Sequence, residues 1–144
     1  MAISESIRDV LAADATLTAL LVGGIYSYAQ TGRNGISRAT TPDAYEAGGF
    51  LRACAIIKAS DAKSAASIRD SAAGLRQTVT VYLYDDGDNG YGAILAARDR
   101  AVALLDRVWI DGVGYLRRIG GADDERDPKL NNAALARVDF EIVG

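Results

Sequence analysis

In residues 135–143, read as a strand, apolar and polar side chains alternate without a break from Ala136 to Ile142. Ala136, Val138, Phe140 and Ile142 fall on one side, Arg137, Asp139 and Glu141 on the other. A period of two marks an extended strand with one covered and one wet face, which antiparallel sheets tolerate and parallel sheets seldom do. A second run has the same period: Leu75, Gln77, Val79, Val81 and Leu83 alternate with Arg76, Thr78, Thr80, Tyr82 and Tyr84. Its β-branched and aromatic residues suit a pleated surface. In residues 51–59 both sides are partly apolar (Leu51, Ala53, Ala55 and Ile57 against Cys54 and Ile56), which predicts a strand covered on both faces.

Around these strands the pattern shifts to helical spacing. Ile3, Ile7, Val10 and Leu11 share one stripe, predicting an amphipathic helix over residues 3–13. Asp14 is placed to accept the free N–H groups of a second short helix over residues 15–21, in which Leu17, Leu20 and Leu21 point inward. Gly23 and Gly24 end it. A short strand follows at 25–29, then a polar, glycine-broken loop at 30–49, long enough to suggest function or ordering on assembly. Residues 60–74, rich in Ala and Ser, fit either a weak helix or an extended arm. After a turn at 85–90, capped by Asp88 or Asn89, the stripe Tyr91, Ile94, Leu95, Ala101, Val102, Leu105 and Val108 predicts a long helix over 91–108. Trp109 follows it, Asp111-Gly112 marks a turn, a strand covers 113–119, and residues 120–132 read as a polar loop. The order α, α, β, β, β, α, β, β lacks crossover helices between consecutive strands. It predicts one α+β domain over residues 1–144: a mainly antiparallel sheet, the 91–108 helix packed on it, and an N-terminal helical segment.

Composition removes most catalytic chemistry. The chain of 144 residues has no histidine and one cysteine, Cys54. Without histidine there is no Ser–His or Cys–His nucleophile pair and no His-bearing zinc site; one cysteine makes no internal disulfide or Cys cluster. The net charge is −3, and acid concentrates in Asp85-Asp86-Gly87-Asp88 and Asp123-Asp124-Glu125. No basic stripe of the kind that grips duplex DNA is present. Arginine outnumbers lysine thirteen to three, which fits either interface chemistry or genome composition. The N-terminus lacks a signal-peptide core, and the longest apolar run, 19–25, is too short to span a bilayer, so a soluble protein is expected.

Motifs give no cofactor. Counted from Asp85, a calcium loop would need ligands at Gly87 and Ala96, which supply none. Gly35-Ile36-Ser37-Arg38-Ala39 lacks the last glycine of a nucleophile elbow and any histidine base. There is no P-loop and no spaced-glycine dinucleotide fingerprint. Cys54, among apolar neighbours in a strand, reads as a buried, inert thiol. Trp109 reads as a core-edge anchor or an interface hot spot. Tyr82 and Tyr84 read as half-buried core or an aromatic patch.

Taken in order, three segments resemble the tail-completion, or tail-terminator, proteins of long-tailed double-stranded-DNA bacteriophages. Residues 12–26 (AADATLTALLVGGIY) resemble their N-terminus, residues 74–84 (GLRQTVTVYLY) their central strand, and Asp124-Glu125-Arg126-Asp127 followed by residues 136–142 (ARVDFEI) their C-terminal strand pair. The resemblance implies a non-enzymatic virion protein assembled in the host cytoplasm: a ring, of six copies in this family, at the head-proximal end of the tail tube. Its implied partners are further copies of itself, the tail tube protein and a head-side neck or stopper protein. Genomic DNA passes through without specific binding, and no membrane or cofactor is involved. An acidic lumen would repel phosphates and let DNA slide. Asp85, Asp86, Asp88, Asp123, Asp124 and Glu125 are therefore the candidate lumen-facing residues, and Arg33, Arg38, Tyr45, Trp109 and Arg126 the candidate assembly-interface residues. The alternatives are another neck component, a head-closure, stopper or adaptor protein, or a carboxylate-only metal-dependent hydrolase built on Asp85, Asp86 and Asp88.

Overall fold

The computed structural model describes residues 2–60 and 77–143. The open choice for residues 60–74, helix or arm, therefore lies outside the described residues except at Ser60. Helix α1 (Ile3–Ala12) buries Ile7 and Leu11 completely, the stripe its spacing predicts. Helix α2 (Ala15–Leu20) starts where Asp14 caps it, the carboxylate accepting the Leu17 N–H at 2.9 Å. Strand β1 (Ile25–Ser27) runs into a one-turn helix α3 (Tyr28–Thr31). There Ser27 and Gln30 form a reciprocal capping box. Strands β2 (Cys54–Ala59) and β3 (Gln77–Asp85), helix α4 (Gly92–Leu105), and strands β4 (Val108–Ile110), β5 (Gly114–Asp127) and β6 (Ala133–Val143) are the other strands and longer helix among the described residues.

The six strands form one sheet in the order β1-β2-β3-β6-β5-β4. Every pairing is antiparallel except β1 with β2, which is parallel. Parallel neighbours need a long crossover, and residues 28–53 supply it. One face of the sheet carries α1 over β1 and β2, and α4 over β3 and β6, with α2 against α4. Its core joins Leu17, Ile57, Val79, Val81, Leu83, Ile94, Leu105, Leu116, Val138 and Phe140. Arg100 of α4 clamps Asp14 through two bonds, of 2.7 and 2.9 Å, fastening α2 to α4.

Four expectations need correction. The helix predicted over 91–108 spans only Gly92–Leu105, and residues 108–110 are a strand, so Trp109 lies in β4 rather than behind a helix. Strand β5 captures the chain there: the Arg107 N–H donates to the Leu116 carbonyl and Asp106 accepts the Arg118 N–H, both at 2.8 Å. Neither Asp88 nor Asn89 caps α4; its N-cap is Tyr91, with no side-chain bond. The polar loop predicted over 120–132 is largely strand. β5 continues to Asp127 through register shifts between Arg118 and Gly120 and between Ala122 and Glu125. In the second shift Asp123 and Asp124 together stand opposite Ala136, a β-bulge.

Finally, the strand predicted over 25–29 ends at Ser27 and gives way to α3, and the 28–53 crossover that follows packs on the sheet within the chain itself. Ser37, Thr40 and Thr41 knot together through their hydroxyls, Tyr45 bridges Leu51, and Ile36, Ala44 and Leu51 bury themselves against Cys54, Ile56 and Tyr84 on the second face of the sheet.

Candidate assembly surfaces

The crossover covers the second face only in part. Beyond it, the face is polar and open: Tyr82 stands opposite Arg137 and Thr80 opposite Asp139 across β3 and β6. The Thr80 hydroxyl donates to Asp139 at 2.7 Å. Arg137 reaches both Asp139, at 2.9 Å, and Glu125, at 3.2 Å, while Arg117 pairs with Glu141 at 3.1 Å. These partly exposed pairs fix register more than they add stability.

The two acidic runs come to one end of the sheet. Asp85 pairs with Ala134, and Ala134 with Arg126, so the turn after β3 and the far end of β5 flank β6 on either side. Not all six carboxylates are presented to solvent. Asp85 is buried, and its oxygen accepts the Asp86 N–H at 2.8 Å and the Asn89 side-chain amide at 3.0 Å, so it serves its own turn. Asp123 is paired with Arg98 of α4, and Glu125 with Arg137. Asp86, Asp88 and Asp124 have no cationic partner among the described residues; they are the unpaired carboxylates of an end that also holds Arg38, Arg126 and Lys129.

Of the five interface candidates, three approach that same end. Arg38 lies over the Tyr45 ring, 5.6 Å from its centre, and donates to the Gly49 carbonyl at 3.0 Å. Together with Phe50, Asp86 and Lys129 these residues line one hollow. Arg126 donates to the Asn132 carbonyl at 2.9 Å and stacks over Tyr91 at 6.0 Å. Arg33 is exposed in the 3₁₀ turn Gly32–Asn34. Trp109 is elsewhere, on edge strand β4, with 60% of its surface exposed. Trp109 stands opposite Tyr115, and Tyr115 opposite Val143, which makes an exposed apolar row across β4, β5 and β6. Sequence reading missed Tyr115, Val143 and Phe50 as surface groups. Tyr115 falls out of phase with Leu116 in a strand of period two, and that signal was available; Phe50, in a glycine-flanked corner, gave none.

Tyr84 is buried, and that burial, with the Asp127 charge beside it, raises the pKa of its hydroxyl. Burial likewise pushes the Cys54 thiol up to about 12, with Asp85 adding to it. Neither group is disposed to ionise. Among the described residues no three His, Cys, Asp or Glu side chains gather as a metal site, and no helix is long and apolar enough to cross a membrane.

No family model matches the chain, and no curated protein matches it in sequence. The chain shares its fold with a chain of the virion of a native gene transfer agent particle. The TM-score is 0.60 at 17% identity, over 97% of this chain and 92% of that one.

Proposed function

We propose that this protein is a structural subunit of a phage-like virion, a tail terminator that forms a ring at the head-proximal end of the tail tube and joins it to the neck. The observation that carries the reading is the fold it shares, over nearly the whole of both chains, with a chain of a gene transfer agent virion. The order of tail-terminator-like segments along the sequence supports the same reading and narrows it to the tail end. The work is done by surfaces rather than by catalysis. Further copies, the tube protein and a head-side neck protein are its partners, and six copies are expected in the ring. Asp88 and Asp124, at the end of the sheet that also bears Asp86, face the lumen or its rim, where negative charge repels DNA phosphates at distances of about a Debye length, ~8–10 Å.

Native mass spectrometry of the purified protein, alone and mixed with tail tubes, tests this. A hexamer, or a monomer that rings only on tubes, is the expected result; a monomer that ignores tubes overturns it. If the ring binds the capsid portal side and not the tube, the protein is instead another neck component. In an assembled particle, acidic loops on the outer wall would overturn the lumen assignment.

A further inference from the structure

Edge strand β4 and helix α1 leave a groove lined by Val10, Val108, Trp109 and Ile110, with Asp9 and Asp111 also on its wall. It is an apolar seat with acid beside it. Asp9 is engaged by its neighbour Arg8 at 3.0 Å, whereas Asp111 has no ion-pair or hydrogen-bond partner among the described residues. At the other end of β5 lies the opposite chemistry. Phe50, 57% exposed, stands at the hollow it shares with Arg38 and Lys129. The Lys129 ammonium has no carboxylate partner among the described residues, although Asp86 lines the same hollow.

These two patches differ in shape and in charge. One is an apolar groove with an unpaired carboxylate, the other an exposed aromatic ring at the rim of a hollow with an unpaired ammonium. Strand β5, of 14 residues, runs from beside the first to beside the second. At about 3.3 Å per residue that is on the order of 40 Å along the strand. A surface that meets its own copy through one self-complementary patch closes as a two-fold dimer; two different patches join copies head to tail, as a ring where the rotation between copies closes and as an open filament where it does not.

We propose that the Trp109 groove of one copy receives the Phe50 corner of the next, with Asp111 facing Lys129 across the contact. The inference rests on the ring reading above and assigns the subunit contact within it. Trp109 is the single tryptophan of the chain, so the contact carries its own reporter. Large aromatic anchors of this kind dominate interface energies, and charges flanking them set register.

The test follows Trp109 emission and the oligomer distribution as wild-type protein is concentrated, alone and on tail tubes. Ring formation is expected to shift the emission to shorter wavelength as water leaves the indole. Lys129→Glu and Asp111→Lys, both at exposed positions, are each expected to raise the concentration needed for half-assembly about three- to tenfold. The double variant returns it close to the wild-type value. Unchanged circular dichroism and melting of the monomers show that the variants fold. A ring that forms with no movement of Trp109 emission, or a double variant no better than the worse single one, overturns the contact and leaves the ring reading standing. Variants that ring normally but no longer bind tubes also overturn it, because the patches then belong to the tube contact. Absence of any ring, with or without tubes, overturns both.

Discussion

At the scale of single residues, Asp14 shows how a local role and a distant one combine. Its capping of α2 is readable from the sequence, because an acidic residue before an apolar helical run has few other uses. Its second partner, Arg100, lies 86 residues away and leaves no trace in local pattern. The Arg100 bonds, then the Leu17 N–H, hold the Asp14 carboxyl down to about 2 from an ordinary 3.8. A carboxyl depressed in the folded state adds stability that is complete above the unfolded value and is lost as the pH falls through the folded one. Asp14→Asn is therefore expected to melt at a lower temperature than the wild type at pH 6, with the gap closing between about pH 4 and pH 2 in a melting series. Cys54, buried among Ile56 and Tyr84, is expected to stay inert to iodoacetamide at neutral pH in the folded protein and to react on unfolding. The alternation of residues 135–143 places Phe140 correctly on the covered face. It is completely buried, so Phe140→Ala is expected to cost about 3–5 kcal/mol in denaturant unfolding.

At the scale of elements, regular periodicity was legible and its interruptions were not. Strand β3, from Gln77, and strand β6 announce themselves through alternation, and α1 through its stripe. The end of α4 does not: Asp106-Arg107 carries neither glycine nor proline, and Arg107 takes a left-handed conformation, φ 61°, because β5 holds both residues. The second half of β5 is hidden for a different reason. A two-against-one bulge breaks the period of two, and Gly120-Gly121-Ala122-Asp123-Asp124 then looks like a loop. Gly121 is required by close approach: a Cβ there would lie 2.4 Å from the Arg137 carbonyl of β6. Gly121→Ala must push the two backbones apart, and about 1–3 kcal/mol of destabilisation is expected in equilibrium unfolding. Amide exchange should show the loss concentrated between Gly120 and Asp127. The parallel pairing of β1 and β2 was equally unreadable, since the direction of a three-residue strand is decided by what the 28–53 crossover packs on.

At the scale of the whole molecule, charge is the property that the fold redistributes. Residues distant in sequence, Asp86 and Asp88 on one side and Asp124 on the other, come to flank one strand, and only the structure tells these carboxylates from the ion-paired Asp123 and Glu125. In the proposed ring that end meets DNA. Replacing Asp88 and Asp124 with lysine is expected to leave melting nearly unchanged and to make rings on tubes retain duplex DNA in a gel-shift assay. The retention should fade steeply between about 50 and 200 mM salt. Strand β6 carries a further consequence. It is the latest of the six strands along the chain, yet it lies in the middle of the sheet, between β3 and β5. Until it emerges from the ribosome, β1-β2-β3 and β4-β5 are two separate pieces with no shared backbone bonding. A chain whose β6 has not yet docked therefore has no finished sheet to offer a neighbour, and assembly of subunits follows the docking of that one strand.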